Sequence, residues 1–148
     1  MKKQILIIGT VLAITFTSQA QDISQNQIPS VIINNFNTQY PKATDIEWEV
    51  DGNLYYVDFE IGWNTDHEIW YNNKGKMVKH KHDIAKNKLP QAVNNKIKSE
   101  FNGYTVSDLE EITDHGKVFY KMELEAVLKQ DWDVIVGNNG NILSKVAD

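Results

Sequence analysis

Four histidines, His67, His80, His82 and His115, are the side chains best suited to hold a metal or move a proton near neutral pH. His80 and His82 stand two residues apart, so on a strand they share a face and, with Asp83, could jointly hold a metal ion. Lys79 and Lys81 interleave them and would repel a cation, while the same lysines would attract an anionic ligand. No matching ligand set recurs further along the chain, so the segment reads first as a solvated strand end or linker. His115 sits in an expected turn. The carboxylates are many but poorly placed for catalysis: Asp58, Glu60, Glu123 and Glu125 alternate with apolar residues, which puts them on wetted strand faces. A hydrolytic carboxylate pair needs two acids facing one pocket, and nothing in the spacing implies one. There is no cysteine, no serine in a nucleophile elbow, no glycine-rich phosphate loop and no zinc signature. The chain is read as non-enzymatic, and no cofactor or dedicated metal is expected.

The remaining chemistry is recognition. Tyr55, Val57, Phe59 and Ile61 alternate with Tyr56, Asp58 and Glu60, the pattern of a strand with one dry and one wet face. If the first set faces a helix, Tyr56 faces away. By the same alternation Ile69 and Tyr71 point in and Trp70 points out, with Trp63 in the connection between the two strands. Tyr56, Trp63 and Trp70 are therefore the candidate partner-binding surface, because tyrosine and tryptophan dominate the energetics of many interfaces. The plainer alternative is that these rings only pack across strands. Lys74, Lys76, Lys79, Lys81, Lys86 and Lys88 form the one basic cluster. Such a run ordinarily marks a solvated edge that resists sheet-to-sheet aggregation; its functional reading is an attraction for an anionic ligand or acidic partner.

Charge narrows the partners. All 20 acidic residues follow residue 20, against 13 lysines once Lys2 and Lys3 are set aside, so 13 − 20 leaves a net charge of −7. That excludes a general nucleic-acid binder, which needs a basic stripe. The first twenty residues have the form of a cleaved signal peptide: Lys2-Lys3, the apolar run Ile5 to Phe16, then small residues at Ser18-Gln19-Ala20. The run is too short to span a bilayer as a helix, so no transmembrane segment is expected after cleavage and the location is periplasmic or secreted. Without cysteine there is neither a lipid-attachment site nor a disulfide, and the fold must rest on burial.

The elements that would position these side chains repeat. A shift of 61 residues lays Ile28-Pro29, Ile32, Phe36 and Tyr40 on Leu89-Pro90, Val93, Ile97 and Phe101, each set the apolar stripe of a helix opened by proline. A shift of 65 lays Tyr55–Ile61 on Tyr120–Ala126 and Asp66–Tyr71 on Asp131–Val136, with about four extra residues between Tyr104 and Asp114. His67 then takes the place of Trp132, so a partly buried sheet residue is expected there rather than a base. Tyr56 and Trp70 fall on Lys121 and Ile135, so any aromatic patch belongs to the first copy. Asp51-Gly52 and Asn73-Lys74-Gly75 read as hairpin turns. The expected fold is α+β: two tandem repeats, each a helix packed on an antiparallel sheet of about four strands. The expected organisation is 1–20 signal peptide, 21–83 first repeat and 84–148 second repeat.

The pattern Ile28-Pro29, Ile32, Phe36, Tyr40-Pro41 and Ala43, followed by Trp48, Asp51-Gly52 and Tyr55-x-Val57-x-Phe59, resembles the PepSY-like family of β-lactamase-inhibitor-like proteins, common among exported proteins of Bacteroidetes. The resemblance covers nearly the whole chain after residue 20 and implies two tandem α/β units sharing an extended sheet surface. It carries no catalytic residues. The missing catalytic constellation, the doubled sheet and the outward aromatics lead to the expectation of a protein that binds another protein through its open sheet face. The alternative is an envelope sensor or scaffold domain for a small anionic ligand or metal, using His80, His82 and the lysine cluster.

Overall fold

The computed structural model describes residues 21–63 and 65–148; the candidate signal peptide lies outside them. In chain order the elements are β1 (Gln21–Asp22), α1 (Ser30–Gln39), β2 (Ala43–Asp51), β3 (Leu54–Ile61), β4 (Asp66–Tyr71), β5 (Met77–Asp83), α2 (Gln91–Glu100), β6 (Thr105–Asp114), β7 (Lys117–Glu125), β8 (Trp132–Gly137) and β9 (Ile142–Ala147). Pro29 and Pro90 stand immediately before the two helices, where a missing N–H costs nothing. Ile32 and Phe36 on α1, and Val93 and Ile97 on α2, are the buried stripes.

The strands do not form two separate sheets. Among the described residues they make one antiparallel sheet of nine strands in sequence order, β1 to β9. This corrects the expectation of two repeats, each with its own sheet of about four strands. The join is the pairing of β5 with β6, from Lys79 opposite Asp114 to Asp83 opposite Glu110. The Lys79–Asp83 stretch contains no apolar residue and so resembles a solvated end, yet it lies mid-sheet. Two sheets would have left two more rows of backbone N–H and C=O groups unpaired; joining them satisfies both rows.

Registers carried through that join place both helices on the same face. Trp48, Val57, Phe59, Ile69 and Tyr71 are buried against Ile28, Ile32 and Phe36. Leu109, Tyr120, Met122, Leu124, Val134 and Val136 are buried against Val93, Ile97 and Phe101. The cores are separate clusters. Between them, on the same face of β5 and β6, the pairs His80–Thr113 and His82–Glu111 form a polar seam. No described helix lies over the other face.

Candidate functional site

Strand alternation sorts the candidate residues onto opposite faces. Trp70 pairs with Lys79 and Glu68 with Lys81, whereas Ile69 pairs with His80 and His67 with His82. The histidines therefore lie on the helix-bearing face and the lysines on the open face. His80, His82, Lys79 and Lys81 do not form one group.

On the open face, Tyr56 and Trp70 are cross-strand partners with ring centroids 4.9 Å apart. The Lys79 ammonium sits 4.1 Å over the Trp70 ring, and the Trp70 indole N–H donates to Asp51 Oδ2 at 2.9 Å. Each ring is half-buried by these contacts. Burial and the carboxylates of Glu68 and Asp58 raise the Tyr56 phenol above its ordinary range, so it remains a neutral donor. Next to this group Lys81 joins Glu68 to Glu110, with Nζ to Glu110 Oε1 at 3.1 Å, and Lys121 approaches the other Glu110 oxygen at 3.9 Å. The chain of charges Glu68–Lys81–Glu110–Lys121 crosses the seam from β4 to β7. Half-buried Ile112, Phe119 and Ile135 extend the same face toward the far edge. Trp63 is 96% exposed in the turn after β3. It is not brought against the pair: from Tyr56 to the end of β3 at Ile61 is roughly 16 Å of extended strand.

On the covered face, three imidazoles come together. His67 Nδ1 lies 3.0 Å from His80 Nε2, and one nitrogen from each of His67, His80 and His82 lies within 4.8 Å of the others. The rings are near-parallel, with centroids 4.7 to 5.3 Å apart, and Phe59 stacks on the outer side of His67. Tyr40, at the end of α1, approaches His67 and His80. Burial, then the neighbouring rings, pushes His80 down to about 4 and also lowers His67, although Asp66 opposes the second shift. His67 and His80 are therefore held as neutral imidazoles, able to offer lone pairs. His67 is buried, as its inward position required. Its meeting with His82 follows from folding the strand back about the Lys74–Gly75 turn, a signal that was present in the spacing. A cavity of about 440 Å³ at one end of the seam is lined by Val78, His80, Thr113 and the His115–Gly116 turn, among others.

The sequence matches the family described as "Putative beta-lactamase-inhibitor-like, PepSY-like" over residues 14–66 and 53–144. Among solved structures, the fold is similar to a DUF2874 family protein from Bacteroides uniformis, 20% identical with TM-score 0.65, covering 80% of this chain and 88% of that one. It is also similar to a "putative periplasmic" protein from Bacteroides eggerthii, 19% identical with TM-score 0.66 over 80% and 88% of the two chains. A BLIP-like protein from Bacteroides fragilis is 21% identical with TM-score 0.62 over 80% and 85%. A search of the curated proteins finds no match. The family's matches run across both halves of the sequence, and the chain belongs to the beta-lactamase-inhibitor-like, PepSY-like family.

Proposed function

We propose that this chain is an exported, non-enzymatic module that binds another protein through the open face of its sheet. The observation that carries this reading is the Tyr56–Trp70 pair, capped by Lys79, on a face that no described helix covers. Half-buried aromatics ringed by charged groups are suited to an interface, because a partner can complete their burial while the rim sets orientation. Trp63, fully exposed at the sheet end, is a separate contact at the margin of that surface. Inhibition of an enzyme would be one consequence of such binding. Export to the periplasm or the medium rests on the first twenty residues, and no described helix is long and apolar enough to cross a membrane. Residues 21–83 and 84–148 are read as two related units fused through the β5–β6 pairing, with the aromatic patch particular to the first.

The test is capture of envelope and secreted proteins on the immobilised chain, with partners identified by mass spectrometry, comparing the unmodified chain with Tyr56→Ala/Trp70→Ala. A partner held by the unmodified chain and lost from the double variant is the expected result. Equal capture by both would remove this surface from consideration.

A further inference from the structure

We propose that His67, His80 and His82 form a three-imidazole site for one divalent late transition-metal ion, with Zn²⁺ as its probe, on the helix-bearing face of the seam. The inference is independent of the partner-binding reading, because the two groups lie on opposite faces of the sheet.

Three observations support it. The first is spacing. Zinc–imidazole bonds of about 2.0–2.1 Å in tetrahedral geometry set ligand nitrogens roughly 3.3–3.4 Å apart. The His67 Nδ1 to His80 Nε2 separation of 3.0 Å is already close to that, and all three ligand atoms lie within 4.8 Å. His82 would need to close by about 1.5 Å at most, with the near-parallel rings turning about their Cβ–Cγ bonds to aim lone pairs at one point. The second is an unmet polar atom. His82 Nδ1 is buried and has no hydrogen-bond partner, and a buried polar atom normally has one. The His67–His80 contact requires one ring nitrogen to donate a proton to the other. A metal ion would take the place of that proton, which moves to the other nitrogen of its own ring so that each imidazole stays neutral, and His82 would supply the third lone pair. The third is charge. Lys79 and Lys81, which alternate with the histidines in sequence, are turned to the opposite face and engaged there with Trp70, Glu68 and Glu110. Glu111, opposite His82 on β6, adds a carboxylate to the metal's side. The seam cavity that reaches His80 offers a way in.

Donor chemistry selects the ion. Imidazole suits Zn²⁺, Cu²⁺ and Ni²⁺, whereas Mg²⁺ and Ca²⁺ prefer all-oxygen shells. The chelator-treated full chain, titrated with Zn²⁺ by calorimetry, is expected to bind one equivalent with micromolar or tighter affinity and to gain thermal stability. His67→Gln, His80→Gln and His82→Gln are each expected to weaken binding by more than about tenfold, while Glu47→Gln, at an exposed position of β2, leaves it unchanged. Mg²⁺ is expected to give no heat. Unaltered affinity in the His80→Gln and His82→Gln variants, or substoichiometric or only millimolar binding by the unmodified chain, overturns the site. Should the variants lose their circular-dichroism signature, Co²⁺ added to the unmodified chain decides. A strong visible band of nitrogen-ligated, low-coordinate cobalt supports the site, and the pale spectrum of hydrated cobalt overturns it.

Discussion

His80 and His67 give the molecule a defined response to acid. Both are held below the ordinary histidine value of 6.5, His80 down to about 4, chiefly because burial disfavours the charged ring. In the unfolded chain each takes up a proton near 6.5; in the folded chain neither does so until the pH is lower. Between those values the unfolded state binds more protons, so stability falls as pH drops through the window. In chelator-treated buffer the urea midpoint is therefore expected to decline from about pH 6.5 to about pH 4, and His80→Gln to flatten that decline. An identical pH slope in the two proteins would contradict the assignment. Lys81 is the corresponding residue on the open face. Its removal leaves Glu68 and Glu110 without their shared cation, so Lys81→Ala is expected to cost more stability than Lys117→Ala at an exposed strand start, with the difference shrinking at high salt. Equal losses, or one insensitive to salt, would show the bridge to be idle.

Helices and hairpins are where local sequence and tertiary packing agree. The stripes at Ile32–Phe36 and Val93–Ile97, and the turns at Asp51-Gly52 and Asn73-Lys74-Gly75, were legible because their causes are local: side-chain period, proline geometry and glycine in the left-handed region. Docking of helix on hairpin was less legible, and glycine marks it. Gly75 has φ +77, and a Cβ there would meet Asn35 Nδ2 at 2.9 Å and Val31 Cγ2 at 3.0 Å; its carbonyl accepts a hydrogen bond from Asn35. Gly140 makes the matching close approach to the Ala92 carbonyl oxygen at 2.8 Å, with φ +84. Gly52 has φ +62 but nothing within 4 Å. Gly52→Ala should therefore cost only backbone strain, about 1–2 kcal/mol, whereas Gly75→Ala and Gly140→Ala should cost more because the helix must also move. Thermal unfolding of the three variants checks the order, and equal losses would mean the helices are not seated on these turns.

For the molecule as a whole, the continuous sheet predicts cooperative behaviour. The two cores are separate clusters, but β5 and β6 share backbone pairing, the charges from Glu68 to Lys121 cross the seam, and Ile84 N donates to the Leu109 carbonyl at 3.0 Å. Single-tryptophan variants keeping Trp48 in the first core, or Trp132 beside the second, are expected to report one coincident urea transition. Separate midpoints would show that the seam does not couple the halves. The sequence alone determined the helices, the hairpin turns, the inward and outward sets of β3 and β4 and the family, because each depends on periodicity or on residues close together along the chain. It placed Tyr56 and Trp70 outward and His67 inward correctly for the same reason. Only the tertiary structure decided that the two halves share one sheet, that Lys79 and Lys81 belong to a different surface from His80 and His82, and that His67 joins those histidines. Each of these is a pairing between strands. The β5–β6 pairing forms across an intervening helix, between segments whose polar side chains give no hydrophobic signal of mid-sheet position, and its driving force is backbone hydrogen bonding that every residue but proline can supply.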